Sequence, residues 1–244
     1  SLGQPVPART HAVCVSLPTL EDVIAYEEKN PQTLAAMPTG YPRFVRHRMI
    51  QQMVDHLLGD RAIDHCGYLF ARKQDCEDVM IRYRLVNPNL TQGDHWTLLA
   101  LPRHAKENAR VAAYFQHTGC GISSRQAEEY LWEHGQIEDQ EVLAETDQAE
   151  FLIKETISQA HGPEVEPSNL LLASSGANAF HALFRSATEW ARQKNKSVWI
   201  RWGWLYLDTI EVMNLYGGEY GSVLEVNQVG QTEQLVSLFE QYGD

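Results

Sequence analysis

The residues whose types and spacing best suggest chemistry are Ser174-Ser175-Gly176-Ala177-Asn178, a small-residue turn set directly before a helical pattern. An apolar run, Asn169 to Ala173, leads into it. After it Ala179, Leu183 and Ala187 recur at fourfold spacing, with Phe180 and Phe184 beside them, which is helix periodicity. Small residues at such a turn let backbone N–H groups approach a ligand. The new helix adds unpaired N–H donors and a positive dipole end, so an anion such as phosphate is stabilised there. The Ser175 hydroxyl can cap the helix or donate to a phosphate oxygen. On pattern alone the plainer assignment, an N-cap between strand and helix, is preferred, because Ser-Ser-Gly has little specificity.

A second stretch has a related composition. His117-Thr-Gly-Cys-Gly-Ile-Ser-Ser-Arg125 breaks one helical pattern and precedes another. Two glycines, a hydroxyl pair and an arginine before a helix form a plausible anion cradle, in which Arg125 adds a charge-assisted contact. Cys120 and His117 are three residues apart across a glycine and are not read as a nucleophile and its base. Arg201-Trp-Gly-Trp-Leu-Tyr206 is an aromatic loop, and Tyr206 is of the kind that anchors a loop half-buried. Asp64 and His65 are read as a surface pair. Lys194 and Lys196 lie in a polar loop and are read as solvated. No residue is assigned a catalytic role.

The elements that must hold these residues follow from periodicity. From 169 to 206 the expected order is short strand, turn, helix, strand and aromatic loop. Further on, a helix is expected from Asp208 to Tyr216, ended by Gly217-Gly218. A strand, Val223 to Val226, and a last helix with Thr232 as N-cap complete the chain. Upstream, Cys66–Phe70 and Trp96–Leu101 are strand candidates around a helix from Gln74 to Tyr83, a small α/β unit. Lys106 to Glu133 is helix, glycine turn, helix, and Val45 to Leu58 is helical. Residues 1–42 hold six of the ten prolines and read as an irregular arm, with a short helix capped by Thr19.

The chain has 244 residues, 43% hydrophobic, enough for one large or two small domains with cores. Its formal charge of -12 argues against a nucleic-acid or acidic-membrane partner. No apolar run approaches the length of a membrane span. The four cysteines form no Cys-x-x-Cys pair, so no metal site is expected, and free thiols suit a reducing cytoplasm.

Leu172-Ala-Ser-Ser-Gly-Ala-Asn-Ala-Phe-His-Ala-Leu-Phe184 resembles the phosphate-binding segment of the cystathionine γ-synthase family, fold-type-I pyridoxal-phosphate enzymes of cysteine and methionine metabolism. The resemblance implies that Ser175, Gly176 and Ala177 hold the cofactor phosphate, with Ala177 in place of the usual Met. It implies that Tyr206, in Trp204-Leu-Tyr206-Leu-Asp-Thr209, stacks on the pyridine ring. His11-Ala-Val-Cys-Val-Ser-Leu-Pro-Thr19, Thr39-Gly-Tyr-Pro-Arg-Phe44 and the 117–128 stretch are similar to the long-chain, fungal-type branch. Tyr41 and Arg43 match the letters of the family's phosphate-binding Tyr-x-Arg motif, although the usual Asn-Pro-Thr does not follow. Arg125 is the first choice for a phosphate arginine, ahead of Arg43.

The resemblance implies an α/β fold: an incomplete fold-type-I large domain over 149–244, preceded over 1–148 by an extension with its own small α/β unit. The implied activity is γ-replacement, joining an O-acyl-homoserine to cysteine; the related eliminations stay open. Pyridoxal 5'-phosphate is the implied cofactor, and the implied setting is a cytoplasmic homo-oligomer. The lysine that such an enzyme needs to hold the cofactor aldehyde is not found after Gly176. The expectation is therefore a truncated, inactive N-terminal portion. A non-catalytic assembly module of the same ancestry, or a nucleotide-binding α/β domain, are the alternatives.

Overall fold

The computed structural model describes residues 1–39, 45–142, 147–230 and 232–243. The chain divides into two compact units. The first comprises residues 1–116 and 120–143, the second residues 117–119 and 144–244.

In the first unit the arm is more ordered than its prolines suggest. A two-residue pairing of β1 (Pro5–Val6) with β2 (Cys14–Val15) is followed by α1 (Leu20–Glu27) and α2 (Pro31–Ala35). Thr19 caps α1 as expected and exchanges hydrogen bonds with Asp22 in a capping box. Pro31 does not merely stop α1. It is the first residue of α2, where its missing N–H costs nothing, and Asn30 caps that helix. Tyr26, Met37 and Val45 form a small apolar cluster beneath the arm.

The main core of this unit lies between helices and a three-stranded antiparallel sheet. The elements are α3 (Arg48–Leu58), β3 (His65–Phe70), α4 (Lys73–Tyr83), β4 (Asn89–Gln92), β5 (Thr97–Pro102), α5 (Asn108–Thr118) and α6 (Ser124–Glu133). The strand order is β3-β5-β4. Thr97 to Leu101 are all buried, so the central strand is covered on both faces, which is why it reads as a continuous apolar run. Met53 and Val54 of α3, Leu69, Leu98, and Ala127 and Leu131 of α6 share one cluster. Strand β4 was not anticipated. It is polar, mostly exposed and pairs only with β5, so it carries little hydrophobic signal.

The second unit contains α7 (Ala149–His161), α8 (Gly176–Gln193), β6 (Val198–Trp202), α9 (Leu207–Tyr220), β7 (Ser222–Val226) and α10 (Thr232–Tyr242). Strands β6 and β7 are parallel, joined through α9 in a β-α-β unit. Phe184 of α8 packs on Trp199 of β6 with ring centroids 4.6 Å apart. His181 of α8 is fully buried and shares a 2.8 Å hydrogen bond with the Tyr216 hydroxyl of α9.

Two expectations are corrected here. Residues 169–173 are not a strand: a 3₁₀ turn, Pro167–Asn169, is followed by irregular backbone, and Leu171 is 93% exposed. Apolar content alone does not make a strand without a neighbour to take its hydrogen bonds. Nor do Gly217-Gly218 end α9, which runs on to Tyr220. A Cβ at Gly217 would lie 2.9 Å from Val223 Cγ2 and 3.0 Å from Trp199 Cδ1. The glycine permits close helix-to-strand approach rather than a helix stop.

Candidate functional site

In the second unit, α8 begins where the small-residue turn predicts. Ser175 is the N-cap, with extended backbone, and its Oγ accepts a 3.1 Å hydrogen bond from the Asn178 N–H. One orphan donor is thus satisfied by the helix's own serine. Helix geometry leaves the Gly176 and Ala177 N–H groups without an intrahelical acceptor. Ser175 and Gly176 are exposed, and space around Gly176 is open enough that an added Cβ would meet nothing within 4 Å.

A three-residue segment, His117–Gly119, leans on this helix start. Asn178 Nδ2 donates to the Thr118 carbonyl at 3.4 Å. Gly119 has φ +58°, and a Cβ there would lie 2.7 Å from Ser175 Oγ and 3.1 Å from the Asn178 nitrogen. Glycine serves twice at this position: it takes the left-handed backbone without strain and lets the segment approach the α8 turn closely.

The other end of the same segment reaches the start of α9. His117 Nδ1 lies 2.8 Å from Asp208 Oδ1, and the Asp208 side chain is only 7% exposed. Asp208 stands in the first turn of α9, where a carboxylate also complements the helix dipole. Tyr206, two residues earlier, is 51% exposed. The α8 turn and Asp208 in the first turn of α9 therefore contact one short segment. The His117–Asp208 pair was not foreseen, since 91 residues separate its members. The only sequence signal was that both fall in stretches carrying the family resemblance.

The remaining sequence-chosen residues lie elsewhere. Arg125 is on α6 in the first unit, where its Nη2 is 3.2 Å from Glu141 Oε2 and half the side chain is exposed. Ser123, not Arg125, caps α6, in a capping box with Gln126. Tyr41 and Arg43 lie outside the described residues. Asp64 and His65 do form the expected surface pair at 2.5 Å, and that hydrogen bond holds the Asp64 carboxyl below its usual range. A cleft of about 440 Å³ in the first unit is lined by Arg72, Lys73, Asp94, His95 and Trp96, with both charge signs present. Among the described residues, no helix is long and apolar enough to cross a membrane.

Comparison with known proteins gives the geometry a lineage. The chain is 32% identical over 156 residues to a cystathionine gamma-synthase of Neurospora crassa, covering 52% of this chain and 25% of that protein. It is 31% identical over 167 residues to a putative cystathionine gamma-synthase of Saccharomyces cerevisiae, covering 59% and 26%. The chain is a relative of the cystathionine gamma-synthases. It is also 28% identical over 227 residues to an L-2-amino-4-chloropent-4-enoate dechlorinase/desaturase of Streptantibioticus cattleyicolor, covering 90% of this chain and 45% of that protein. The chain thus spans less than half the length of these curated relatives. No family model matches it, and no solved structure does. The relationship to cystathionine gamma-synthases rests on sequence, and the structure adds a mixed α/β architecture compatible with it.

Proposed function

We propose that this chain is the N-terminal portion of a pyridoxal-phosphate enzyme of the cystathionine γ-synthase type, with the α8 turn as the phosphate site. The observation that carries this reading is the shared segment: the Ser175 turn and Asp208, two residues after Tyr206, both contact His117–Gly119. The chemistry of these residues suits the cofactor's groups. An exposed helix start offers the Gly176 and Ala177 N–H groups to a phosphate, and Ser175 adds its hydroxyl. Tyr206, half-exposed, offers a ring face for the pyridine. When bound, pyridoxal phosphate supplies the electron sink for carbanion chemistry on an amino acid.

The chain's own residues bind and orient. The α8 amides take the phosphate, and the part-buried His117–Asp208 pair keeps the start of α9, and with it Tyr206, in place. Arg125 lies in the first unit, paired with Glu141, and is given no part in this site. The parent reaction in this reading is γ-replacement on an O-acyl-homoserine by cysteine in a homo-oligomer. A covalent lysine anchor is not assigned in this chain, so no turnover is expected from it.

Fluorescence titration with pyridoxal phosphate and with pyridoxal tests the phosphate contact. Tighter binding of the phosphorylated form is expected. Ser175→Asp retains an N-cap oxygen but places a carboxylate where the phosphate sits, so it should abolish that preference while leaving the helix intact. Equal binding of the two ligands by the wild type, or no effect of Ser175→Asp, would overturn the assignment. Borohydride treatment should leave no adduct at a single lysine.

A further inference from the structure

We propose that His11, Glu128 and Glu141 of the first unit form a binding site for one divalent transition-metal ion of the zinc type, which clips the N-terminal arm to α6. The ligand atoms of the three residues lie within 4.8 Å of one another. His11 Nε2 is 3.0 Å from Glu128 Oε2 and 3.6 Å from Glu141 Oε2. Three donors at roughly 2.0–2.2 Å from a tetrahedral zinc stand about 3.3–3.6 Å apart, so these spacings bracket the coordination polygon.

The site is sequestered. The His11 side chain is 2% exposed and that of Glu128 6%. A buried carboxylate and a buried imidazole aimed at one point, with a second carboxylate beside them, call for a cation. A proton on His11 Nε2 meets that demand incompletely, because one N–H serves one carboxylate. Glu141 Oε2 is buried and takes no hydrogen bond, although Arg125 lies near it as a countercharge. A divalent ion takes a lone pair from each of the three groups and neutralises both carboxylates.

The surroundings match what metal-binding histidines require. His11 Nδ1 is 2.9 Å from Ser124 Oγ, a partner that would fix the Nδ1–H tautomer and direct Nε2 at the ion. The Arg125 guanidinium, 3.2 Å from Glu141 Oε2, lies beside the third ligand. The mixed imidazole and carboxylate set suits zinc, manganese or iron rather than calcium or a thiolate-seeking ion. Three protein ligands leave a fourth position for water. The ligands come from residues 11, 128 and 141, so the ion closes a long loop between the arm and α6, a stabilising cross-link.

The test is equilibrium dialysis of the full chain against zinc chloride, followed by desalting and elemental analysis. The proposal expects about one zinc per chain. Glu128→Gln preserves size and can still hydrogen-bond His11, and Glu141→Gln alters a partly exposed residue, so both should fold by circular dichroism. Each should weaken zinc binding by more than about 100-fold, beyond the loss seen when only an outer partner is removed. Cobalt should give the visible absorption of a tetrahedral site in the wild type and not in the variants. The proposal is overturned if the wild type retains no zinc, or if both variants retain as much as the wild type; His11 is then simply an imidazolium shared between carboxylates.

Discussion

At the scale of single residues, burial rather than residue type sets reactivity. The Cys76 thiol is fully buried, and desolvation pushes its pKa up to about 12, with Glu77 and Asp75 adding to the shift. Cys14 is exposed. At pH 8, iodoacetamide followed by mass mapping should label Cys14 readily and leave Cys76 unlabelled until the chain is unfolded. Comparable labelling of both in the native protein would contradict this core. Ser175 provides a second test at this scale. Ser175→Ala removes the oxygen that takes the Asn178 amide and should cost about 1 kcal/mol in urea unfolding, as lost N-caps do. Gly119→Ala should cost more than about 1 kcal/mol, because it adds left-handed backbone strain to a close contact with the same cap.

At the scale of elements, two adjacent glycines in α9 should respond with opposite tendencies. Gly218 faces open space, so Gly218→Ala should stabilise the helix by up to about 1 kcal/mol through propensity alone. Gly217→Ala gains the same propensity but drives a methyl against Val223 and Trp199, an overpacking that costs about 1–3 kcal/mol. Thermal denaturation should therefore rank Gly218→Ala above Gly217→Ala by at least about 1 kcal/mol. The reverse order would mean that α9 does not lie against β6 and β7 at this point. Gly67 plays the corresponding part in the first unit. A Cβ there would come within 2.6 Å of Val54 on α3 and 2.9 Å of Leu98 on β5, so β3 and α3 meet at a position that excludes side chains.

At the scale of the whole molecule, the two units differ in how completely they bury themselves. The first holds fully buried side chains on α3, β3, α4, β5, α5 and α6. In the second, α7 and α10 contribute no buried residue, and Phe151, Leu152, Ile153, Val236 and Phe239 are exposed. Hydrogen exchange should find the amides of β3 and β5 slowest, and those of α7 and α10 among the fastest of the helices. With these apolar groups exposed, the chain should self-associate at micromolar concentration, which sedimentation would measure. Slow exchange in α7 and α10 together with a monomeric sedimentation coefficient would contradict both expectations.

Strong local periodicity made most helices and the central strands legible in the sequence. The α1 cap at Thr19, the α3 face with Met53 and Val54, the buried run of β5 and the start of α8 all follow from neighbours within one or two turns. The family resemblance was legible for the same reason: it lives in short contiguous stretches. Features that depend on distant chain were not legible. The 169–173 run lacks a strand partner, β4 is a strand only because β5 is beside it, and Gly217 is kept small by β6 and β7. The candidate site divides in the same way. Ser175, Gly176 and Ala177 were chosen from a family resemblance carried by one contiguous stretch, whereas the His117–Asp208 pair and the His11–Glu128–Glu141 cluster join residues about a hundred positions apart. A sequence specifies which donors exist; only tertiary packing decides which of them share a point in space, because side-chain contacts fall off within a few ångströms and carry no trace in linear spacing.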